Sequence, residues 1–184
     1  GAGTLVVLLL AVAQILICYA ISFADLPPDQ VVWWLDATYV GWLVAPTALM
    51  IFVARLTGRD RWITRRVLIL LAIEPLAMAL VIWSDAGQEW FFGGGRDPVT
   101  YDFVATGAAY WIFVAYAQVM LAVATVLVIL TARSSRVMTR GQVALVSTLV
   151  LLPWLVSFFS FVNVKVLGAD PTVLPPDDRL AEAA

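Results

Sequence analysis

The chain has 184 residues, of which 62% are hydrophobic and 13% are charged, and its formal net charge is −2. A soluble domain usually contains about 45–50% apolar and about 25% charged residues, so this composition is typical of a membrane protein. The sequence has no histidine and a single cysteine, Cys18, which lies within an apolar run. Disulfide pairs, Cys/His zinc sites and histidine-based catalysis are therefore excluded within this chain.

Five apolar segments are long enough to cross a bilayer, which takes roughly 20 residues of helix. Each segment is apolar on all sides and lacks the two-residue alternation of a barrel strand, so helices are expected. The expected spans are residues 4–23, 32–54, 67–84, 104–131 and 143–167. The sequence thus predicts an all-α fold, a polytopic transmembrane helical bundle within residues 1–172, followed by a polar, Pro/Asp-rich tail at 173–184.

The linkers between the expected spans separate the charges by side. Residues 55–66 carry five arginines and one acid, Asp60, whereas the linkers of the opposite side are mostly acidic. Cytoplasmic loops of membrane proteins are enriched in basic residues, so we expect the arginine-rich side to be cytoplasmic, with the N-terminus inside and the C-terminus outside. The expected cytoplasmic anchor consists of Arg55, Arg59, Arg61, Arg65, Arg66, Arg133, Arg136 and Arg140.

Glu74 lies near the middle of the third expected span and is followed by Pro75. A charged side chain at the bilayer centre costs about 2.5–3.5 kcal/mol on insertion scales, so Glu74 is expected to face the bundle interior or to be protonated. One interpretation makes it part of a proton-sensitive or ligand-sensitive centre. The other makes it a buried neutral acid, bonded to a carbonyl that Pro75 frees or to an amide of Gln14, Gln118 or Asn163. The helix-bend candidates are Pro46, Pro75 and Pro153.

The longest polar linker, residues 85–103, mixes aromatic and acidic residues and contains three consecutive glycines. It is a candidate lid or extracellular recognition element, and the alternative is a plain connector. The sequence has no phosphate-binding loop, no H-E-x-x-H pair and no G-x-S-x-G elbow. We therefore predict that the chain is not an enzyme and holds no cofactor or metal. Its arginines fit anionic headgroups better than nucleic acid.

Several landmarks follow one another in a defined order through the expected spans and linkers. The landmarks are Tyr39, Gly41, Pro46, Thr57-Gly58-Arg59, Pro75, Tyr116, Gln142, Pro153-Trp154 and the segment from Asp170 to Thr172. In that order they resemble the N-terminal seven-helix membrane region of a group of prokaryotic sensor histidine kinases.

The resemblance implies that the chain corresponds to helices 2–6 of seven and is a fragment of a longer region. It implies a sensor region of a two-component histidine kinase, multi-pass in the cell membrane, that detects an unknown extracellular or intramembrane stimulus. The kinase segments themselves are absent from this sequence. The expected partners are the lipid bilayer, a downstream cytoplasmic kinase or output module, a small-molecule or membrane stimulus, and a second copy of the chain.

The sensing candidates are polar and aromatic residues of the second and third spans. The tryptophans alternatively form an interfacial aromatic belt, and Asp36 alternatively reaches the headgroup region. Two other function classes stay open, namely half of a transporter or channel and a subunit of a larger membrane complex. A transporter would call for inverted repeats or paired broken helices, and no convincing repeat is found. The sensing candidates are Trp33, Trp34, Asp36, Tyr39, Glu74 and Trp83.

Overall fold

A computed structural model of the chain describes residues 2–93 and 107–134, together with residues 141, 147, 148 and 151. The chain divides into two compact units, Gly1–Val150 and Leu151–Ala184, and the described helices belong to the first. These helices are α1 (Ala2–Ser22), α2 (Pro28–Leu56), α3 (Arg65–Ile82), α4 (Asp85–Phe92) and α5 (Ala108–Ser134), with a short 3-10 turn at Asp60–Trp62. The predicted all-α class is thus confirmed for the described residues.

Three of the described helices are long and apolar enough to cross a membrane: Ala2–Ser22, Pro28–Leu56 and Ala108–Thr131. They coincide with the first, second and fourth predicted spans. The fifth predicted span, 143–167, lies outside the described residues apart from 147, 148 and 151, and so does the tail at 173–184. Five spans and the direction of insertion therefore stay predictions.

The third predicted span is helical, but α3 differs from the other three. It has 18 residues and includes Arg65, Arg66 and Glu74, which is too much charge for a simple span of that length. Together with α4 it is apolar enough, and the two helices meet at a bend of 106°. The α3–α4 pair is therefore a broken span or a re-entrant element.

The linker that was expected to be a lid or a plain connector begins with a helix. Ser84 caps α4, because its hydroxyl accepts a hydrogen bond from the N–H of Gly87 at 3.1 Å. Gly93, with φ of 64°, ends α4 in the left-handed conformation that favours glycine. Phe91 and Phe92 at the end of α4 are buried in the bundle, so α4 is part of the core. The rest of this linker, 94–106, lies outside the described residues.

Helix α2 is the centre of the bundle and packs against α1, α3 and α5. Its closest approach to α1 is at Gly41, where a Cβ would lie 2.5 Å from the carbonyl oxygen of Ala11 and 2.5 Å from Ile15 Cγ1. Gln14 strengthens the same contact, since its Nε2 donates to the carbonyl of Ala37 at 2.5 Å. Glycine at the landmark position 41 thus allows the backbones of α1 and α2 to come into contact.

The landmark Thr57-Gly58-Arg59 forms the end of α2. The N–H of Gly58 donates to the carbonyl of Arg55 at 3.1 Å, and the N–H of Arg59 donates to the carbonyl of Ala54 at 2.9 Å. This pair of bonds is a Schellman motif, which requires a left-handed residue, and Gly58 supplies it with φ of 74°. Helix α2 ends at Leu56, and glycine suits position 58 because few other residues adopt that conformation without strain.

Large apolar side chains cover the outside of α1 and α3. In water such a continuous apolar surface would promote aggregation, whereas in a bilayer it contacts lipid chains. The exposed apolar residues of these two helices include Leu9, Leu10, Leu16, Ile17, Ile69, Leu70, Leu76 and Leu80.

Gly41→Ala is expected to lower the stability of the protein, because the added methyl group meets the backbone of α1 and the helices must separate. Overpacking of this kind costs about 1–3 kcal/mol. Thermal unfolding in detergent, followed by near-ultraviolet circular dichroism, measures the change. Gly3→Ala is the matched control, since nothing lies within 4 Å of a Cβ at Gly3. Equal melting temperatures for the two variants would contradict the close approach.

Candidate functional site

Tyr39, a predicted sensing residue, lies in an aromatic cluster that joins α2, α4 and α5. Its ring centroid is 5.2 Å from that of Phe91, 5.9 Å from that of Phe92 and 6.4 Å from that of Phe113, each in an edge-to-face arrangement. Such aromatic pairs contribute about 0.5–1.5 kcal/mol each beyond their buried area. The end of the bundle that contains this cluster is called the aromatic end below.

The three phenylalanines of the cluster were not predicted from the sequence. Phe91 and Phe92 stand in a polar linker, and a helix of eight residues is too short for its periodicity to be read. The available signal was local: Ser84 followed by Asp85 is an N-cap pattern, and an apolar pair follows within two turns.

The three predicted sensing tryptophans do not come together. Trp33 and Trp34 make an edge-to-face contact with a centroid distance of 4.8 Å. Among the described residues no ring contact links Trp83 to either of them. Trp33 is 59% exposed and Trp83 is 47% exposed, so both positions fit the interfacial belt, and a role in sensing stays a prediction.

Asp36 lies inside the bundle. It is only 8% exposed, which differs from the alternative in which its carboxylate reaches the headgroups. Asp36 precedes Tyr39 by about one helical turn on α2, so both side chains belong to the aromatic end.

The polar centre of the bundle is built around Tyr116 of α5. Pro75 has no N–H, so the carbonyl of Leu71, one turn earlier in α3, lacks its helical partner. Tyr116 fills this vacancy, because its hydroxyl donates to the Leu71 carbonyl at 2.9 Å. Thr47 Oγ1 of α2 lies 2.7 Å from the same hydroxyl oxygen. Since the only proton of Tyr116 is used on the carbonyl, Thr47 is the donor in this second bond.

The set formed by Thr47, Leu71 and Tyr116, here called the Tyr116 junction, joins three helices through one hydroxyl group. The two prolines, Pro46 and Pro75, lie inside α2 and α3, and both helices continue through them. Pro153 lies outside the described residues. The sequence singled out Tyr116 only as a landmark, and its bond to the carbonyl freed by Pro75 gives that landmark a physical role.

Glu74 lies beside the Tyr116 junction without joining it. It follows Leu71 by three residues on α3, so the two residues lie on one face of the helix about one turn apart. Both of its carboxyl oxygens are buried, and neither has a hydrogen-bond partner among the described residues. Tyr116 occupies the freed carbonyl that was an expected partner of Glu74.

The amides that were the other expected partners of Glu74 do not bind it in the described part of the chain. The Gln14 amide nitrogen donates to Ala37 on α2, and Gln118 Oε1 is itself buried without a partner. Asn163 lies outside the described residues. Glu74 is therefore a buried acceptor that can hold its own proton or receive a hydrogen bond from an approaching donor. Within the described ranges, no group of three or more His, Cys, Asp or Glu residues is arranged to hold a metal ion.

Arginines tie the helices together at the opposite end of the bundle, called the arginine end below. Arg55 Nη1 donates to Thr4 Oγ1 of α1 at 3.5 Å, and Arg55 Nε lies 4.0 Å from Asp60 Oδ1. Arg59 Nη1 donates to the buried Thr131 Oγ1 of α5 at 3.0 Å. The starts of α1 and α3 and the ends of α2 and α5 thus lie together, as the alternating direction of the predicted spans requires.

Six further arginines belong to the predicted cytoplasmic anchor. Arg61, Arg65 and Arg66 are exposed. Arg133 lies within the last turn of α5, whereas Arg136 and Arg140 lie outside the described residues.

Tyr116→Phe is expected to destabilise the bundle, because the Leu71 carbonyl loses its donor and the Thr47 hydroxyl loses its acceptor. Hydrogen bonds between membrane helices are worth roughly 0.6–2 kcal/mol, so a loss in that range is expected in detergent unfolding. Tyr19→Phe is the matched control, since Tyr19 is exposed on α1.

The pairing of the two hydroxyls is tested by Thr47→Val alone and in combination with Tyr116→Phe. Because Thr47 and Tyr116 share one bond, the double variant should lose less stability than the sum of the two single variants. Strict additivity would show that the hydroxyls act separately.

The match to known proteins extends over nearly the whole chain. The sequence profile of the family described as the N-terminal 7TM region of histidine kinase matches residues 1–174. This match confirms the resemblance that the ordered landmarks predicted, and it includes the membrane region without a catalytic kinase domain. No curated protein and no solved structure matches the chain. With 1–174 matched, the chain belongs to the family of N-terminal 7TM regions of histidine kinases.

Proposed function

We propose that the chain is the membrane-embedded sensing part of a two-component histidine kinase in the cell membrane. It detects a stimulus at the aromatic end or within the bundle and passes a helix displacement to a cytoplasmic output module. Family membership supports the sensor role. The observation that carries the mechanism is the Tyr116 junction with Glu74 beside it, because a switch requires an element with two discrete arrangements.

The Tyr116 hydroxyl has one proton, and we infer that two acceptors compete for it. In the structure the hydroxyl donates to the Leu71 carbonyl. The proposed alternative acceptor is the Glu74 carboxyl, which follows Leu71 by three residues on α3 and is buried without a hydrogen-bond partner among the described residues. A hydrogen bond to an ionised carboxylate is stronger than one to a neutral carbonyl. A stimulus that leaves Glu74 ionised would therefore draw the hydroxyl from Leu71 to Glu74.

Such an exchange would release the backbone of α3 where Pro75 interrupts its hydrogen bonds. Helix α3 could then shift against α5 at the point where the two are now joined by Tyr116. The opposite state, with the hydroxyl on Leu71, keeps α2, α3 and α5 in the arrangement described above. The two acceptors thus define two arrangements of the same helices.

The ends of the bundle supply the input and the output in this proposal. Along α2, Tyr39, Thr47 and Arg55 follow one another at intervals of eight residues, or roughly 12 Å along the helix axis. Tyr39 connects the junction to α4 at the aromatic end, and Arg55 connects it to the arginine end. The enrichment in arginine supports a cytoplasmic location for the latter end, and hence an N-terminus inside the cell.

Glu74→Gln tests the proposal, because glutamine keeps the shape of the side chain but cannot ionise. In membrane vesicles that contain this chain with its native downstream sequence, histidine autophosphorylation is measured over a range of pH. The variant is expected to change the level or the pH response by at least about fivefold, the lower range of coupling between sites. Membrane insertion should be unchanged.

Glu89→Gln is the matched control, since Glu89 is an exposed acid on α4. An identical response of the Glu74 variant and the wild type would make Glu74 a packing residue. Vesicles without histidine phosphorylation but with ion flux would instead favour the transporter or channel class.

A further inference from the structure

The arginines between α2 and α3 fall into two groups with different surroundings. Arg55 and Arg59 are half-buried and bind within the bundle, to Thr4 and Thr131 respectively. Arg59 also lies over the ring of Trp62, with Cζ 5.7 Å from the ring centroid. These two side chains hold helices together and are not available to another ligand.

Arg61, Arg65 and Arg66 form the second group. All three are exposed, and within the described residues none of them makes an ion pair or a side-chain hydrogen bond. The one acid of the linker, Asp60, has its ion pair with Arg55. Three positive charges are therefore concentrated within six residues and lack a counter-ion from the described part of the chain.

The backbone adds to this positive charge at the start of α3. Thr64 caps the helix by accepting a hydrogen bond from the N–H of Val67 at 3.3 Å, and its carbonyl accepts one from Leu68. The N–H groups of Arg65 and Arg66 belong to the first turn and have no partner within the helix. These N–H groups point out of the start of the helix, where the helix dipole favours an anion.

An apolar surface continues directly from the arginines. Leu68, Ile69 and Leu70 follow Arg66 on α3 and are exposed, and Trp62, which is 58% exposed, precedes Arg65. A ligand for this surface should therefore combine an anionic group with an apolar chain. Free phosphate or an acidic peptide would use the arginines but not the apolar residues beside them.

We propose that Arg61, Arg65 and Arg66, with the first-turn N–H groups of α3, bind the phosphate of an anionic phospholipid. The acyl chains of this lipid lie along the exposed face of α3 that starts at Leu68, and Trp62 lies at the level of the headgroup. Guanidinium groups bind phosphate through paired hydrogen bonds, which suits arginine better than lysine for this site. The site does not depend on the proposed sensor function.

The lipid would act on a segment that also holds the bundle together. The guanidinium group of Arg59 lies over the ring of Trp62 and also donates a hydrogen bond to Thr131 of α5. Trp62 itself is a neighbour in sequence of Arg61, Arg65 and Arg66. Occupation of the phosphate site orders residues 61–66 and thereby keeps the end of α2 against α5. Lipid binding should therefore be visible as stabilisation of the whole bundle.

The test measures the melting temperature of the purified protein in detergent with added phosphatidylglycerol, phosphatidylcholine or inorganic phosphate. Phosphatidylglycerol is expected to stabilise the wild type and the other two to have little effect. The triple variant Arg61→Gln/Arg65→Gln/Arg66→Gln should raise the apparent Kd for phosphatidylglycerol at least about tenfold, since each basic residue near an anionic headgroup contributes to the attraction. Arg133→Gln/Arg136→Gln/Arg140→Gln removes the same charge elsewhere in the sequence and should retain most of the stabilisation.

Four outcomes would overturn the proposal. Equal stabilisation by phosphatidylcholine would show that the charge of the headgroup is not recognised. Equal stabilisation by inorganic phosphate would show that the acyl chains are not needed. Equal losses in the two triple variants would reduce the effect to net charge. An unchanged lipid affinity of the first variant, with loss of binding to an output module, would identify a protein-docking surface instead.

Discussion

A backbone carbonyl without a donor is costly inside an apolar bundle, and Pro75 creates one at Leu71. The bond from Tyr116 to this carbonyl removes the cost and in doing so fixes the position of α5 against α3. Thr47 extends the same bond to α2. One hydroxyl group thus links three helices, whereas the carboxyl of Glu74, one turn along α3 from Leu71, has no hydrogen-bond partner among the described residues.

Hydrogen bonds and aromatic contacts join the helices at three levels, namely the aromatic end, the Tyr116 junction and the arginine end. Each level contains a residue of α2, namely Tyr39, Thr47 and Arg55. In keeping with this, α2 packs against α1, α3 and α5, whereas α1 packs mainly against α2. A displacement of α2 at one level can therefore alter the contacts at the other two, because α2 takes part in all three.

The sequence predicts those features that follow from local composition. Apolar runs predicted the long helices. The proline at position 75 predicted a carbonyl in need of a donor, but the donor comes from Tyr116, far along the chain, and no local pattern identifies it. The same holds for α4, where burial of Phe91 and Phe92 depends on Tyr39 and Phe113, which other helices supply. Glu74 was found because a lone acid is conspicuous in an apolar run, whereas its lack of a hydrogen-bond partner in the described part of the chain depends on how the helices pack.

The Schellman motif at Gly58 has a mechanical consequence. Residues 58–64 begin at a left-handed glycine that terminates α2 and end at Thr64, whose hydroxyl starts α3, with a 3-10 turn between them. Hydrogen bonds thus fix both ends of the connection, and little slack is left to absorb a movement. A tilt or rotation of α2 is therefore transmitted to α3 through a short, rigid connection. Lengthening this connection with flexible residues would leave both helices intact while uncoupling their motions.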